Sequence, residues 1–137
     1  MTYSNRWLSY FSDVAERTAQ LSYATRLQVG VVAVKEKRIV LCGFNGTPIG
    51  FSNTCEDDSN ITLPSVIHAE ENLILFAAKT GISLLDCDLF CTHSACSSCA
   101  KMIISTGIKT FFFKTPYRDS SGLNLLRTAG ISVIQLQ

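Results

Sequence analysis

The sequence predicts an α/β fold of three layers, α/β/α, in which a five-stranded mixed sheet carries helices on both faces. Three observations predict it. Short β-branched and apolar runs alternate with longer segments whose apolar residues recur at helical spacing. The first two runs lie close enough to form a hairpin, whereas each later run is separated from the next by a helix, which makes those strands parallel. The chain has 137 residues, 47% hydrophobic and 17% charged, enough to bury one core, and is read as one domain over residues 1–137.

From about Trp7 to Ser22 the apolar residues Trp7, Leu8, Tyr10, Phe11, Val14, Ala15 and Leu21 fall near helical spacing and predict an amphipathic packing helix. Gln28 to Lys35 and Arg38 to Phe44 read as two strands joined by the polar turn Lys35-Glu36-Lys37. Gly43 to Gly50 (GFNGTPIG) is too rich in Gly, Asn and Pro to continue the second strand. This loop is either an ordinary surface turn or a place where backbone N–H groups approach a sugar or phosphate while Asn45 offers a donor and an acceptor to a hydroxyl. Phe51 to Ser65 is polar and without periodicity, and its length suits a lid or binding loop. A helix is expected from His68 to a stop at Gly81, with Ser65 as its N-cap and Leu73, Ile74, Leu75, Phe76 and Ala77 on a broad apolar face. Leu84 to Thr92 reads as a buried strand and His93-Ser94-Ala95 as a loop into a helix from Cys96 to about Thr106. Lys109 to Lys114 is a strand, Asp119 or Ser120 to Ala129 a helix ended by Gly130, and Ile131 to Leu136 the last strand.

The net charge of +1 argues against binding long nucleic acid through a basic surface and leans toward a small ligand. No apolar run reaches the roughly 18 residues needed to cross a bilayer, and the N-terminal stretch does not read as a signal peptide, so a soluble intracellular protein is expected. In that setting the six cysteines are reduced. Cys42, Cys87 and Cys91 lie in strand-like runs and are expected as small core hydrophobes. Cys55, in a polar loop, is a spare ligand, a redox-sensitive thiol, or neither.

The remaining two cysteines carry the chemistry. His68-Ala69-Glu70 and Cys96-Ser97-Ser98-Cys99 offer three metal donors and one acid, one donor short of a closed zinc site. Structural zinc is usually held by four protein ligands, whereas catalytic zinc keeps a position open for water. Cys96 and Cys99, three apart at a helix start, share a face, and the helix N-terminus favours the thiolates that bind metal. A surface histidine and acid plus two core cysteines is the alternative, and it leaves the coincidence of two helix starts unexplained.

His-x-Glu followed by Cys-x-x-Cys resembles the signature of the zinc-dependent nucleoside and nucleotide deaminases. Within that superfamily the chain is similar to deoxycytidylate (dCMP) deaminases, on Val29-Gly30, Gly43-Phe44-Asn45-Gly46-Thr47-Pro48, the helix from His68 to Ala77-Ala78-Lys79-Thr80-Gly81, and Cys96 to Gly107. The likeness covers roughly residues 20 to 118. One departure is Ala95, where the family usually has a proline; it bears on loop rigidity, since that proline is no ligand. The resemblance implies a cytidine deaminase-like sheet in the order 2-1-3-4-5. It implies Zn2+ on His68, Cys96 and Cys99, water at the fourth position, and Glu70 as a catalytic proton shuttle that is not a ligand. The implied reaction is cytoplasmic hydrolysis of dCMP to dUMP and ammonia, supplying dUMP for thymidylate synthesis.

Candidate substrate residues are Asn45 for the sugar hydroxyl, Arg26 and Arg118 for the 5′-phosphate, Tyr117 for stacking, and Thr47 and Ala69 nearby. For Arg26 and Arg118 a solvated surface role is equally open. The resemblance also implies a homohexamer activated by dCTP with Mg2+ and inhibited by dTTP, with Gly43, Phe44, Gly46, Phe76 and Lys79 as candidate effector residues. Phe76 reads equally well as core. A deaminase of tRNA adenosine or single-stranded DNA shares the zinc signature but needs a basic, aromatic-lined groove, against which the near-neutral charge and the Asn-Gly-Thr-Pro loop speak. A catalytically silent zinc module would have no use for Glu70.

Overall fold

The structure is a computed structural model and describes residues 2–137. In chain order these form α1 (Asn5–Ala19), β1 (Gly30–Lys35), β2 (Arg38–Phe44), α2 (Ala69–Thr80), β3 (Asp88–His93), α3 (Ser97–Ser105), β4 (Thr110–Thr115), α4 (Ser121–Thr128) and β5 (Ser132–Gln135). The strands lie in the order β2-β1-β3-β4-β5. β1 is antiparallel to both β2 and β3, while β3, β4 and β5 run parallel. The mixed sheet and its order are those expected.

Alternation along the central strands divides the core in two, because successive side chains point to opposite faces of a sheet. Val31, Ala33, Leu89, Phe111 and Phe113 join Leu73, Ala77, Ile103 and Leu126 of α2, α3 and α4 on one face. Val32, Val34, Phe90 and Phe112 join Tyr3, Phe11 and Ala15 on the other, which α1 covers. The three consecutive phenylalanines of β4 thus serve both cores, and Phe112 stacks on Phe90 with ring centroids 4.3 Å apart. Helix α1 sits directly on β1 at Gly30, where a Cβ would come within 2.6 Å of the Ala19 nitrogen. Before α1, the Tyr3 hydroxyl donates to the buried Asp88 carboxylate at 2.5 Å, tying the N-terminal segment to the start of β3.

Several boundaries differ from expectation. Helix α1 ends at Ala19 rather than Ser22, because the Ser22 hydroxyl turns away to donate to the Asn45 carbonyl at 2.8 Å. β3 starts at Asp88, not Leu84: Asp86 adopts φ +64° and the Cys87 N–H bonds the Leu84 carbonyl at 3.1 Å, a turn that precedes the ladder. Ser65 does not cap α2. His68 holds that position in extended backbone, since Ile67 is still paired with Gly46 through two backbone bonds. Cys42 is exposed because β2 is the edge strand, whereas Cys55, expected in a polar loop, is buried. No helix among the described residues is long and apolar enough to cross a membrane.

Candidate active site

His68 and Cys96 occupy equivalent places: each is the extended residue just before a helix, α2 and α3 respectively. Cys99 follows one turn into α3. The His68 Nδ1 lies 3.6 Å from the Cys96 Sγ and 3.4 Å from the Cys99 Sγ, and the three donor atoms all fall within 4.8 Å of one another. Tetrahedral zinc with Zn–S of about 2.3 Å and Zn–N of about 2.0 Å has an N···S edge of about 3.5 Å. The donor set, two thiols and an imidazole, and its spacing therefore fit zinc. The Cys96 Sγ accepts the Cys99 backbone N–H at 3.5 Å, a capping bond that favours the thiolate. The Cys96 thiol is pulled far below its ordinary range by hydrogen bonds with the Cys99 and His68 side chains, the Cys99 thiol is pushed up by the same bond and by burial, and the His68 imidazole is raised by its bond to Cys96 against the effect of burial.

The loop into α3 is held from behind. Ser94 and Ala95 are fully buried, and α4 abuts them so closely that a Cβ on Gly122 would stand 2.8 Å from the carbonyl carbons of Ala95 and Cys96. Packing against α4 supplies the rigidity that a proline at Ala95 would otherwise lend.

Glu70 lies in the first turn of α2 and is only 2% exposed. Burial pushes its carboxyl up to about 7, opposed by its backbone hydrogen bond and the neighbouring His68 charge. It lines, with His68 and Ala69, a cavity of about 410 Å³ whose other walls include Arg26, Asn45, Glu56 and Tyr117. That volume lies in the range of small-ligand sites. A donor set open on one side, a carboxyl poised near neutrality and a cavity beside both suit hydrolysis by an activated water.

The remaining sequence-derived candidates divide. Asn45 reaches the cavity, but its Oδ1 accepts the Val29 N–H at 2.9 Å and its Nδ2 donates to the Leu27 carbonyl at 2.8 Å. It therefore shapes the wall as well as facing it, with one further N–H and lone pair to offer. Arg26 is exposed at the cavity mouth, its Nη1 3.5 Å from the Thr62 hydroxyl. Tyr117 is fixed by its N–H, which donates to the Ser94 hydroxyl at 3.0 Å, and its ring stacks on His93 with centroids 6.1 Å apart. Burial, then the Glu70 charge, raises its phenol. Thr47 donates instead to the Ser52 carbonyl at 2.8 Å, and neither it nor Arg118 lines the cavity. Gly43 lies under α2, with Ala69 and Leu73 where a Cβ would be, and the Phe44 carbonyl accepts from Asn72 at 2.7 Å. Phe76 is 49% exposed rather than core, and Lys79 is exposed beside it.

Three contributors escaped the sequence reading. Glu56 accepts the Thr25 and Arg26 backbone N–H groups and the Thr25 hydroxyl, joining the strand approach to the long loop. Ser94 holds Tyr117, and Gly122 seats α4. A glycine in the first turn of a helix was the one available signal for close approach.

This fold and this site are those of a zinc-dependent deaminase. The family of the cytidine and deoxycytidylate deaminase zinc-binding region matches residues 5–115, and the chain belongs to it. It is 40% identical over 109 residues to an uncharacterized deaminase in the luxG 3′ region of Aliivibrio fischeri, covering 79% of this chain and 72% of that protein. With the human deoxycytidylate deaminase it shares 37% identity over 123 residues, 83% of this chain and 68% of the human one. The dCMP deaminase of cyanophage S-TIM5, in complex with dCMP and dUMP, matches 98% of this chain and 100% of its own at 36% identity, with a TM-score of 0.95.

Proposed function

We propose that the chain, as one domain over residues 1–137, catalyses dCMP + H2O → dUMP + NH3. The observation that carries this is its likeness, over nearly the whole length of both chains, to the cyanophage enzyme with dCMP and dUMP bound. The site agrees chemically. His68, Cys96 and Cys99 would hold zinc, which supplies a water acidic enough to attack at neutral pH. Glu70 takes the proton from the attacking water and delivers protons to the cytosine ring nitrogen and to the departing ammonia. A carboxyl raised to about 7 by burial can both accept and return a proton near neutrality.

Tyr117 walls the ring, the free N–H and lone pair of Asn45 meet the sugar, and Ala69 lies beside them in the cavity wall. Arg26 at the mouth grips the 5′-phosphate, with Arg118 and Thr47 brought in only if their segments move. The setting proposed is the cytoplasm, where thiols stay reduced and dUMP feeds thymidylate synthesis.

Resemblance to dCMP deaminases extends the proposal to a homohexamer activated by dCTP with Mg2+ and inhibited by dTTP, through the Gly43, Phe44 and Gly46 loop and Phe76 and Lys79. Support comes from the outer face of α2, where Leu75 and Phe76 are 50% and 49% exposed. The test is ammonia release from dCMP, deoxycytidine, CMP and a single-stranded oligonucleotide in parallel, each with and without dCTP and Mg2+. Turnover of dCMP alone is expected. Turnover of the oligonucleotide alone would refute the substrate assignment.

A further inference from the structure

We propose that His93 is a positioning residue for substrate: its ring backs the Tyr117 ring and so sets the wall against which the pyrimidine lies. The inference rests on the reading of Tyr117 as the wall of the base site. The chain has two histidines, and only His68 belongs to the donor set. His93, the last residue of β3, is half-buried and does not line the cavity, whereas Tyr117 does. The two rings are nearly parallel, 20° apart with centroids at 6.1 Å. His93 therefore supports Tyr117 from outside the cavity.

Backbone and ring of Tyr117 are held by different devices. The end of β3 grips the backbone on both sides of Pro116: the Ser94 N–H donates to the Thr115 carbonyl at 2.9 Å, and the Ser94 hydroxyl accepts the Tyr117 N–H at 3.0 Å. These bonds leave the Tyr117 side chain a choice of rotamers, which its packing partner decides. A partner can decide it only if it is itself immobile, and Thr92 immobilises His93. The Thr92 hydroxyl is buried, accepts the Gly30 N–H at 3.1 Å and lies 2.7 Å from the His93 Nδ1. With one lone pair taken by Gly30, its own proton is assigned to Nδ1, which places the imidazole proton on Nε2. Burial lowers the imidazole below its ordinary value, against the charge of Glu16 on α1, itself paired with Lys114, so the ring is neutral near pH 7. Support thus runs from β1 through Thr92 and His93 to Tyr117, and its last link is a contact between rings rather than a hydrogen bond.

The test compares zinc-loaded parent, His93→Ala, His93→Phe and His93→Asn by steady-state kinetics on dCMP and by calorimetric titration with dUMP, with zinc content measured on each. Phenylalanine keeps a flat ring and lacks the nitrogen, whereas asparagine keeps a polar atom near the place of Nδ1 and lacks the ring. His93→Ala is expected to raise KM and weaken dUMP by about threefold to tenfold, with kcat within about twofold of the parent and zinc content unchanged. His93→Phe is expected to restore KM and dUMP affinity, and His93→Asn to behave as the alanine variant does. The comparison of Phe with Asn decides even where the alanine variant folds poorly. A parent that neither deaminates dCMP nor binds dUMP would overturn the substrate reading and this inference with it. An active parent whose His93→Ala variant keeps KM and dUMP affinity, rescue by Asn but not by Phe, or a loss of zinc and kcat at unchanged KM would each overturn this inference alone.

Discussion

The His68 Nδ1 lies 3.4 Å from the Cys99 Sγ although the two residues are 31 positions apart in sequence. The sheet order produces this contact. β3 pairs with β1 rather than β2, so α2 and α3 pack side by side on one face of the sheet and bring their first turns together beside the cavity. Neither helix offers a complete donor set alone.

Replacing Cys99 by Ser, or His68 by Ala, should therefore abolish stable zinc binding. Metal analysis of purified protein is expected to fall from about one ion per chain in the parent to well below that in either variant. Bound ligand at one hundredfold excess over its Kd stabilises a fold by about 2.7 kcal/mol. Chelator should accordingly lower the Tm of the parent by several degrees and leave the variants nearly unmoved.

Gly122 gives a test remote from the donors. Gly122→Ala should cost about 2 kcal/mol through overpacking and weaken zinc retention, because the new methyl group pushes on the Ala95 and Cys96 carbonyls. Gly46→Ala, which meets no atom within 4 Å, should change stability by no more than about 0.5 kcal/mol. Thermal melts and zinc content of the two variants decide between a seat for the loop and a merely tolerant helix start.

Glu56 should confer a pH-dependent stabilisation. Burial pushes its carboxyl upward, but hydrogen bonds from Arg26 and Thr25 and the Arg26 charge outweigh that and hold it below its ordinary 4.5. A folded-state value below the unfolded one favours the folded state above the unfolded pKa, and the benefit disappears as pH falls through the folded value. The Tm gap between parent and Glu56→Gln should be widest near neutral pH and should narrow as pH falls below the ordinary carboxyl value toward the lowered folded-state one. A gap that does not vary with pH would refute the role of the ionised carboxylate.

Much of the fold was legible because its central strands are buried on both faces and their apolar runs are unmistakable: VVAV in β1 and FFF in β4 read as strands whatever lies around them. The donor set was legible because its spacing places it at helix starts. Phe76 was not, since α2 turns Ala69, Leu73 and Ala77 toward the sheet, with Ile74 partly covered, and an apolar run on a helix does not reveal which side will be covered. The cap of α2 was misplaced because the pairing of Ile67 with Gly46 is a long-range bond with no local signal. Asn45 reads from the sequence as a partner for a sugar hydroxyl, yet its bonds to Leu27 and Val29 depend on a chain reversal that composition cannot specify. Ser94 looks like any loop serine until Tyr117 folds back onto it.

The most direct test measures zinc content and dUMP formation on the same preparations of parent and Glu70→Gln protein. The amide keeps the shape of the side chain and removes its ability to take a proton. Zinc content equal to the parent, with dCMP turnover lower by about 10²- to 10⁴-fold, is the expected result. Turnover near the parent level in zinc-replete Glu70→Gln would contradict the assignment of proton transfer to this residue.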